Sequence, residues 1–283
     1  MILITTGAGK VGQHVITQLA QRKIPARAGF HSQAKASAVR EPGIEGVVLD
    51  FESPESRAAA FKGIDTLFLV TPGTPFQGGQ EEKLLAEAKK VGVKRIVKLS
   101  GKISERHTAG FSVWNSEAER RIKASGIPYT ILRANFFMQN LFTCAEPIKQ
   151  GGFTMGPATQ SPALVDTRDI AAMVVAALTE EGHTGKTYDV NGPELLDGHA
   201  QAAVFSKVLG RPVKYQDVTV DQFVKYLQSV GMPDWMVEAF RVVAESDNTD
   251  RSEQSSADVE RVLHRKPGTL EQFIKDHRAT FQP

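Results

Sequence analysis

Cysteine occurs once in 283 residues, at Cys144, so the chain cannot close a disulfide on itself and suits a reducing compartment. Charge of one sign is not in excess either: thirty-four Lys and Arg face thirty-two Asp and Glu, a formal +2. That balance supplies no basic field for nucleic acid or for an anionic membrane surface. The longest uninterrupted apolar run, Ile170 to Leu178, is nine residues. A membrane-spanning helix needs about 20. The amino terminus lacks a basic lead, an apolar stretch and a small-residue cleavage site. Seven histidines include no H-x-H or H-E-x-x-H pattern and no cysteine pairing, so no metal site is expected. No segment repeats and none is low in complexity. These absences leave the expectation of a globular, cytoplasmic chain, long enough for one large domain or two modest ones.

What is present is an alternation of two periodicities. Short apolar, β-branched runs fall at 2–6, 24–30, 45–51, 65–71, 94–100 and 127–133, and read as strands. Helical spacing falls between them, at 10–22, 33–40, 81–93 and 113–125, with Gly92 placed to end the third of these in a left-handed conformation. Strands this apolar, joined by helices, predict an α/β fold: a parallel sheet covered on both faces, the doubly wound class. Beyond Arg133 the pattern predicts a helix over 136–150, a loop over 154–162, and a short strand then a helix within 162–181, capped by Asp166 or Thr167. A strand follows within 185–194. Helices are expected at 198–209, 219–230, 233–246, 256–264 and 269–278, with a strand near 211–218. The basic residues Lys89, Lys90, Lys94, Arg95, Lys98 and Lys102 read as a solvated helix end. Cys144, next to Leu141 and Phe142, reads as a buried inert thiol.

The first turn has the form of a phosphate cradle. Gly7-Ala8-Gly9-Lys10-Val11-Gly12 is a G-x-G-x-x-G match between a strand and a helix, the context that this motif requires. Gly7 permits the tight turn, Gly9 lets backbone approach a pyrophosphate, and Gly12 lets the helix pack closely. The N–H groups at the helix start would then face the anion, and Lys10 and Val11 count among the candidate cofactor contacts. A Rossmann-like dinucleotide-binding domain is therefore expected over 1–150, with 162–192 returning to it, and a smaller, mostly helical lobe over 193–283. An NAD site usually carries an acid at the end of the second strand. Here Phe30-His31-Ser32-Gln33-Ala34-Lys35 holds none. His31, Ser32 and Lys35, with Arg27 as a further candidate, suit a 2′-phosphate, so NADP(H) is favoured over NAD(H).

Ordered segments along nearly the whole chain resemble the NmrA-like branch of atypical short-chain dehydrogenases. They are ILITTGAGKVGQHV, RAGFHSQAK, LDFESPESRAAAFKGIDTLFLVTP, VKRIVKLSG, SGIPYTILRANFFMQN, TRDIAAMVVAALTEEGHTGKTYDVNGPE and DVERVLHRKPGTLEQFIKDHRATF. The resemblance implies cofactor contacts at Asp50 and Phe51 after the third strand, and at Thr71, Pro72 and Gly73 after the fourth. Most short-chain dehydrogenases carry Tyr-x-x-x-Lys on the helix after the fifth strand, where Tyr protonates a carbonyl oxygen as hydride arrives. Asn115-x-x-x-Glu119 stands there instead, and the family often has His where this chain has Asn115. Asn donates a hydrogen bond but supplies no proton, which disfavours ordinary ketone reduction. Ser100, ending the fifth strand, matches the family's serine by position. The catalytic candidates are therefore Ser100, Asn115 and Glu119. Phe136, Phe137 and Met138, in the loop that resembles the family's post-strand segment, and Trp235 in the aromatic tail are candidate substrate contacts. Two functions fit these residues. One is a reductase passing hydride from NADPH to a small flat electrophile such as a quinone, iminium compound or dye; the other is a dinucleotide-sensing regulator without turnover. No nucleic-acid or membrane partner is expected. Helical faces on such a fold can pair into a homodimer, but the sequence marks none.

Overall fold

Seven strands run in the order β3-β2-β1-β4-β5-β6-β8, all parallel. They are β1 (Ile2–Ile4), β2 (Ala26–Phe30), β3 (Ile44–Val48), β4 (Thr66–Leu69), β5 (Arg95–Gly101), β6 (Tyr129–Ala134) and β8 (Thr187–Val190). The computed structural model describes residues 1–103, 109–246 and 257–283. The order reverses between β1 and β4, where the carboxyl ends of adjacent strands part and ligands enter such sheets. Helices α1 (Gly12–Gln21), α2 (Gln33–Ala36), α3 (Pro54–Phe61), α4 (Gln77–Val91), α5 (Gly110–Ala124) and α7 (Thr167–Thr179) join the strands, with α6 (Ala145–Lys149) following β6. β7 (Gly152–Phe153) pairs with β9 (Lys214–Tyr215) in a separate two-stranded sheet. The remainder is helical: α8 (Gly198–Leu209), α9 (Val220–Ser229), α10 (Asp234–Glu245), α11 (Ala257–Leu263), α12 (Leu270–Asp276) and α13 (Arg278–Phe281).

The chain divides into two compact units. The first comprises Met1–Ile103, Phe111–Arg133 and Ile170–Asp189; its core joins Leu3, Leu67 and Leu69 of the sheet to Phe61, Leu84 and Ile122 of the helices. The second comprises the described residues of Ser104–Gly110, Ala134–Asp169 and Val190–Pro283. Its core is more aromatic, with Phe153, Phe205, Phe273 and Phe281 fully buried and their rings in mutual contact.

Several elements differ from the sequence expectation. The second strand starts at Ala26 rather than 24, because Pro25 has no N–H for the ladder. The expected helix over 136–150 is a 3₁₀ helix, Met138–Cys144, followed by the short α6. Pro147 lies inside that span, lacks an N–H and crowds the preceding turn, so one continuous α-helix cannot pass through it. α3 was not anticipated. Its start signals are present, with the Ser53 hydroxyl accepting from the Ser56 N–H and Pro54 in the first turn, but its alanine run offers no apolar stripe. Asp166 caps α7, accepting the Arg168 N–H at 2.8 Å. Gly92 ends α4 at φ 75°, as its position suggested. The last expected helix breaks at His277 into α12 and α13, and residue 256 of the expected 256–264 helix lies outside the described residues. Cys144 is buried, and burial pushes its thiol pKa up. No described helix is long and apolar enough to cross a membrane.

Candidate active site

The glycine turn leaves β1 at the sheet's reversal point. Thr5 locks the turn to the neighbouring strand end: its hydroxyl donates to the Val70 carbonyl at 2.6 Å and accepts the Val70 N–H at 2.9 Å. The Gly7 N–H donates to the Gly29 carbonyl at 2.8 Å. A Cβ on Gly7 would lie 2.6 Å from the Phe30 ring, and one on Gly12 would lie 2.0 Å from the Thr6 carbonyl oxygen. Only glycine fits at Gly12, against backbone, whereas a Cβ at Gly7 would require the Phe30 ring to move. Gly9 is looser, its nearest neighbour to such a Cβ being the Thr6 carbonyl at 3.3 Å. Val11 and Gly12 are buried, while the Lys10 side chain is exposed. Helix α1 carries no side-chain cap and no acid in its first turn, so no carboxylate or cap of its own offsets its positive end. A cradle that excludes Cβ atoms, behind an uncapped helix, fits the pyrophosphate of a dinucleotide.

At the end of β2, His31, Ser32 and Lys35 are all exposed. Ser32 also caps α2 through the Lys35 N–H. Arg27 is not available to a 2′-phosphate, contrary to the expectation. Its guanidinium binds the Glu45 carboxylate at 2.9 Å and the carbonyls of Ala60 and Lys62 at 2.9 and 2.8 Å. At the exit of β3 the Asp50 carboxylate accepts the Glu52 N–H, and half-buried Phe51 packs on the core of this unit. Pro72 and Gly73 are exposed after β4, with the Phe111 ring 3.4 Å from where a Gly73 Cβ would stand.

Two buried carboxylates organise the ends of β4 and β5. Glu119 accepts from both arms of Arg133, Nε to Oε1 at 2.9 Å and a terminal nitrogen to Oε2 at 2.7 Å, and from the Ser100 hydroxyl at 2.9 Å. The same contact raises the Arg133 pKa. Ser100 and Glu119 are therefore brought together, with Glu119 held as an ion-paired acceptor rather than a proton source.

The second carboxylate escaped the sequence reading. Glu81 on α4 is fully buried, and its Oε1 accepts from Lys98 Nζ at 2.5 Å, the Thr71 hydroxyl at 2.6 Å and Gln77 Nε2 at 3.1 Å. Gln77 Nε2 also donates to Asn115 Oδ1 at 3.3 Å, and Asn115 Nδ2 donates to the Phe111 carbonyl at 2.9 Å. Thr71 and Asn115, read separately from the sequence, thus belong to one network. Lys98 is a correction: it is a sealed core residue, not part of a solvated helix end. Arg95 is half-buried and donates to the carbonyls of Ala177, Leu178 and Glu180 around the end of α7, whereas Lys89, Lys90, Lys94 and Lys102 are exposed. The signal was legible. Glu81 shares the i, i+3, i+4, i+7 face of Leu84, Leu85 and Ala88, and Lys98 interrupts an apolar central strand.

In the second unit, Phe136, Phe137 and Trp235 are half-buried. Met138 is 1% exposed and is part of the aromatic core, so its surface is spent on packing. Among the described residues no group of three His, Cys, Asp or Glu side chains is arranged to hold a metal ion.

The model of the NmrA-like family matches residues 1–274. The chain is 33% identical to an NAD(P)H azoreductase of Xenophilus azovorans over 284 residues, covering 99% of each protein. It is also 33% identical to a (4-alkanoyl-5-oxo-2,5-dihydrofuran-3-yl)methyl phosphate reductase of Streptomyces griseus, over the whole of both. Among solved structures, the NADPH-dependent quinone oxidoreductase of Escherichia coli in complex with NADPH superposes with a TM-score of 0.86 at 25% identity, over 98% of this chain and 100% of that one.

Proposed function

The chain belongs to the NmrA-like family and is an NAD(P)H-dependent reductase using NADP(H), and we propose that Asn115 decides which acceptors it serves. NADPH, when bound, supplies the hydride. Gly7, Gly9 and Gly12 with the start of α1 hold the pyrophosphate, His31, Ser32 and Lys35 meet the 2′-phosphate, and Asp50, Phe51, Thr71, Pro72 and Gly73 border the adenosine and ribose. The first unit is thus the dinucleotide-binding part. Phe136 and Phe137 are acceptor candidates by the family resemblance, and Trp235 by its place in the aromatic tail.

The observation that carries the acceptor class is the absence of a proton donor among the described catalytic candidates. Asn115 cannot give a proton, Glu119 is bound to Arg133, and the Ser100 hydroxyl is committed to Glu119. Such residues orient an acceptor and polarise it by hydrogen bonding, so hydride transfer suits molecules that need no proton in the same step. Flat conjugated electrophiles meet that condition, and the names of the similar azo, quinone and unsaturated-lactone reductases support it. No observation favours the cofactor-sensing alternative. The test is anaerobic oxidation of NADPH with a quinone, an azo dye, a triarylmethane cation and an unactivated ketone, after titration with all four dinucleotides. Turnover of the conjugated acceptors and none of the ketone is expected. Equal turnover of the ketone would overturn the assignment, and tighter binding of NADH than NADPH would overturn the roles of His31 and Lys35.

A further inference from the structure

We propose that Glu81, neutralised by Lys98, is the root of a polarity relay that makes Asn115 a hydrogen-bond donor toward acceptor oxygen. Resting on the reading of Asn115 above, it assigns roles to three residues that reading does not use: Glu81, Lys98 and Gln77.

An amide side chain can present either its oxygen or its nitrogen, and the relay removes that freedom in two steps. Glu81 Oε1 gathers three donors, and the third is Gln77 Nε2 at 3.1 Å. A reversed Gln77 would set its carbonyl against a buried carboxylate, which a low-dielectric site penalises severely. Gln77 therefore faces Glu81 with nitrogen, and the second N–H of that nitrogen meets Asn115 Oδ1 at 3.3 Å. Asn115 is fixed in turn, because reversal would oppose two donors at Gln77 and two acceptors at the Phe111 carbonyl. One Nδ2 N–H is spent on Phe111, and the other is left for an oxygen that gains negative charge. Gly101 makes room for this amide, since a Cβ there would fall 2.8 Å from Asn115 Nδ2. Gln77 Oε1 and Glu81 Oε2 are buried without a hydrogen-bond partner among the described residues, a cost that a purely structural cluster would be expected to shed. Lys98, sealed in β5, is the countercharge that Glu81 meets inside the core at 2.5 Å, so the polarity is set without solvent.

The relay favours acceptors whose oxygen becomes negative as hydride arrives. Hydride addition to a quinone moves two electrons and one hydrogen from NADPH and leaves a hydroquinone monoanion, which takes its proton from water. Addition to a triarylmethane cation cancels a positive carbon and creates no oxyanion. The test compares these acceptors in Glu81→Gln/Lys98→Met, which removes both buried charges together, and in Asn115→Leu, at saturating NADPH. We expect the quinone-to-dye rate ratio to fall about tenfold or more in both variants, whatever loss the two acceptors share, on the scale of losing one oxyanion donor. Parallel loss on both acceptors, or an unchanged ratio, overturns the relay. A second readout is independent of turnover: exchange of the Gln77 and Asn115 side-chain amide protons in ¹H–¹⁵N spectra, assigned with Gln77→Leu and Asn115→Leu. Slow exchange in the natural protein that becomes fast in the Glu81→Gln/Lys98→Met variant is expected, and unaltered exchange overturns the relay. A natural protein that reduces neither acceptor refutes the proposed function instead, and the amide exchange still decides the relay.

Discussion

Glu81 and Glu119 sit under the same end of the same sheet, both withdrawn from water, yet they are balanced in different ways. Glu119, 3% exposed, binds Arg133, whose side chain is 30% exposed, through a two-armed contact that satisfies both carboxylate oxygens. Glu81 is fully buried and its partner Lys98 is 1% exposed; three donors crowd one oxygen and leave the other bare among the described residues. The planar guanidinium matches a carboxylate at the rim of the fold, whereas the compact ammonium acts as a point charge inside it. A pair reaching water can relax when one partner is lost. A sealed pair cannot, because the remaining charge is stranded in a low-dielectric core.

That contrast sets an order of effects. Lys98→Met should be the most damaging, costing about 3–5 kcal/mol in urea unfolding because Glu81 is left unpaired. Adding Glu81→Gln should recover most of that loss. Full tolerance of Lys98→Met alone would show that the Glu81 site admits water, and would break the comparison. Arg133→Met should cost less, about 2 kcal/mol by the same measurement, since Glu119 keeps the Ser100 hydroxyl and the nearby Lys123. A loss equal to that of Lys98→Met would mean that partner exposure is irrelevant. Lys123→Met should be smallest, within about 0.5 kcal/mol, because an exposed ammonium at 3.6 Å adds little to a carboxylate already held twice. A larger effect would place Lys123, rather than Arg133, as the main partner of Glu119.

The same contrast shows how far the sequence could be read. The strand and helix alternation of the first 133 residues, the glycine turn and the caps Gly92 and Asp166 are local signals, and each has its cause within a few residues. Gly12 is required by the Thr6 carbonyl six residues away. Glu81 and Lys98 are 17 residues apart on a helix and the next strand, and a list of basic residues could not show which one turned inward. Arg27 failed as a phosphate ligand for the same reason: its carbonyl partners at Ala60 and Lys62 lie 33 and 35 residues onward. Met138 read as a substrate contact because it adjoins two phenylalanines, whereas packing alone makes it core.

By itself the sequence determined the class of fold, the spacing of the glycine turn and the presence of Asn, not Tyr, at position 115. Apolar periodicity, glycine spacing and the identity of residue 115 are properties of the chain before it folds. The tertiary structure decided which polar groups face one another. Burial raises the penalty on an unpaired charge or a misdirected amide, and so selects one partner for each side chain. Glu81, Gln77 and Asn115 acquired a common direction only when β4, α4, β5 and α5 closed around them.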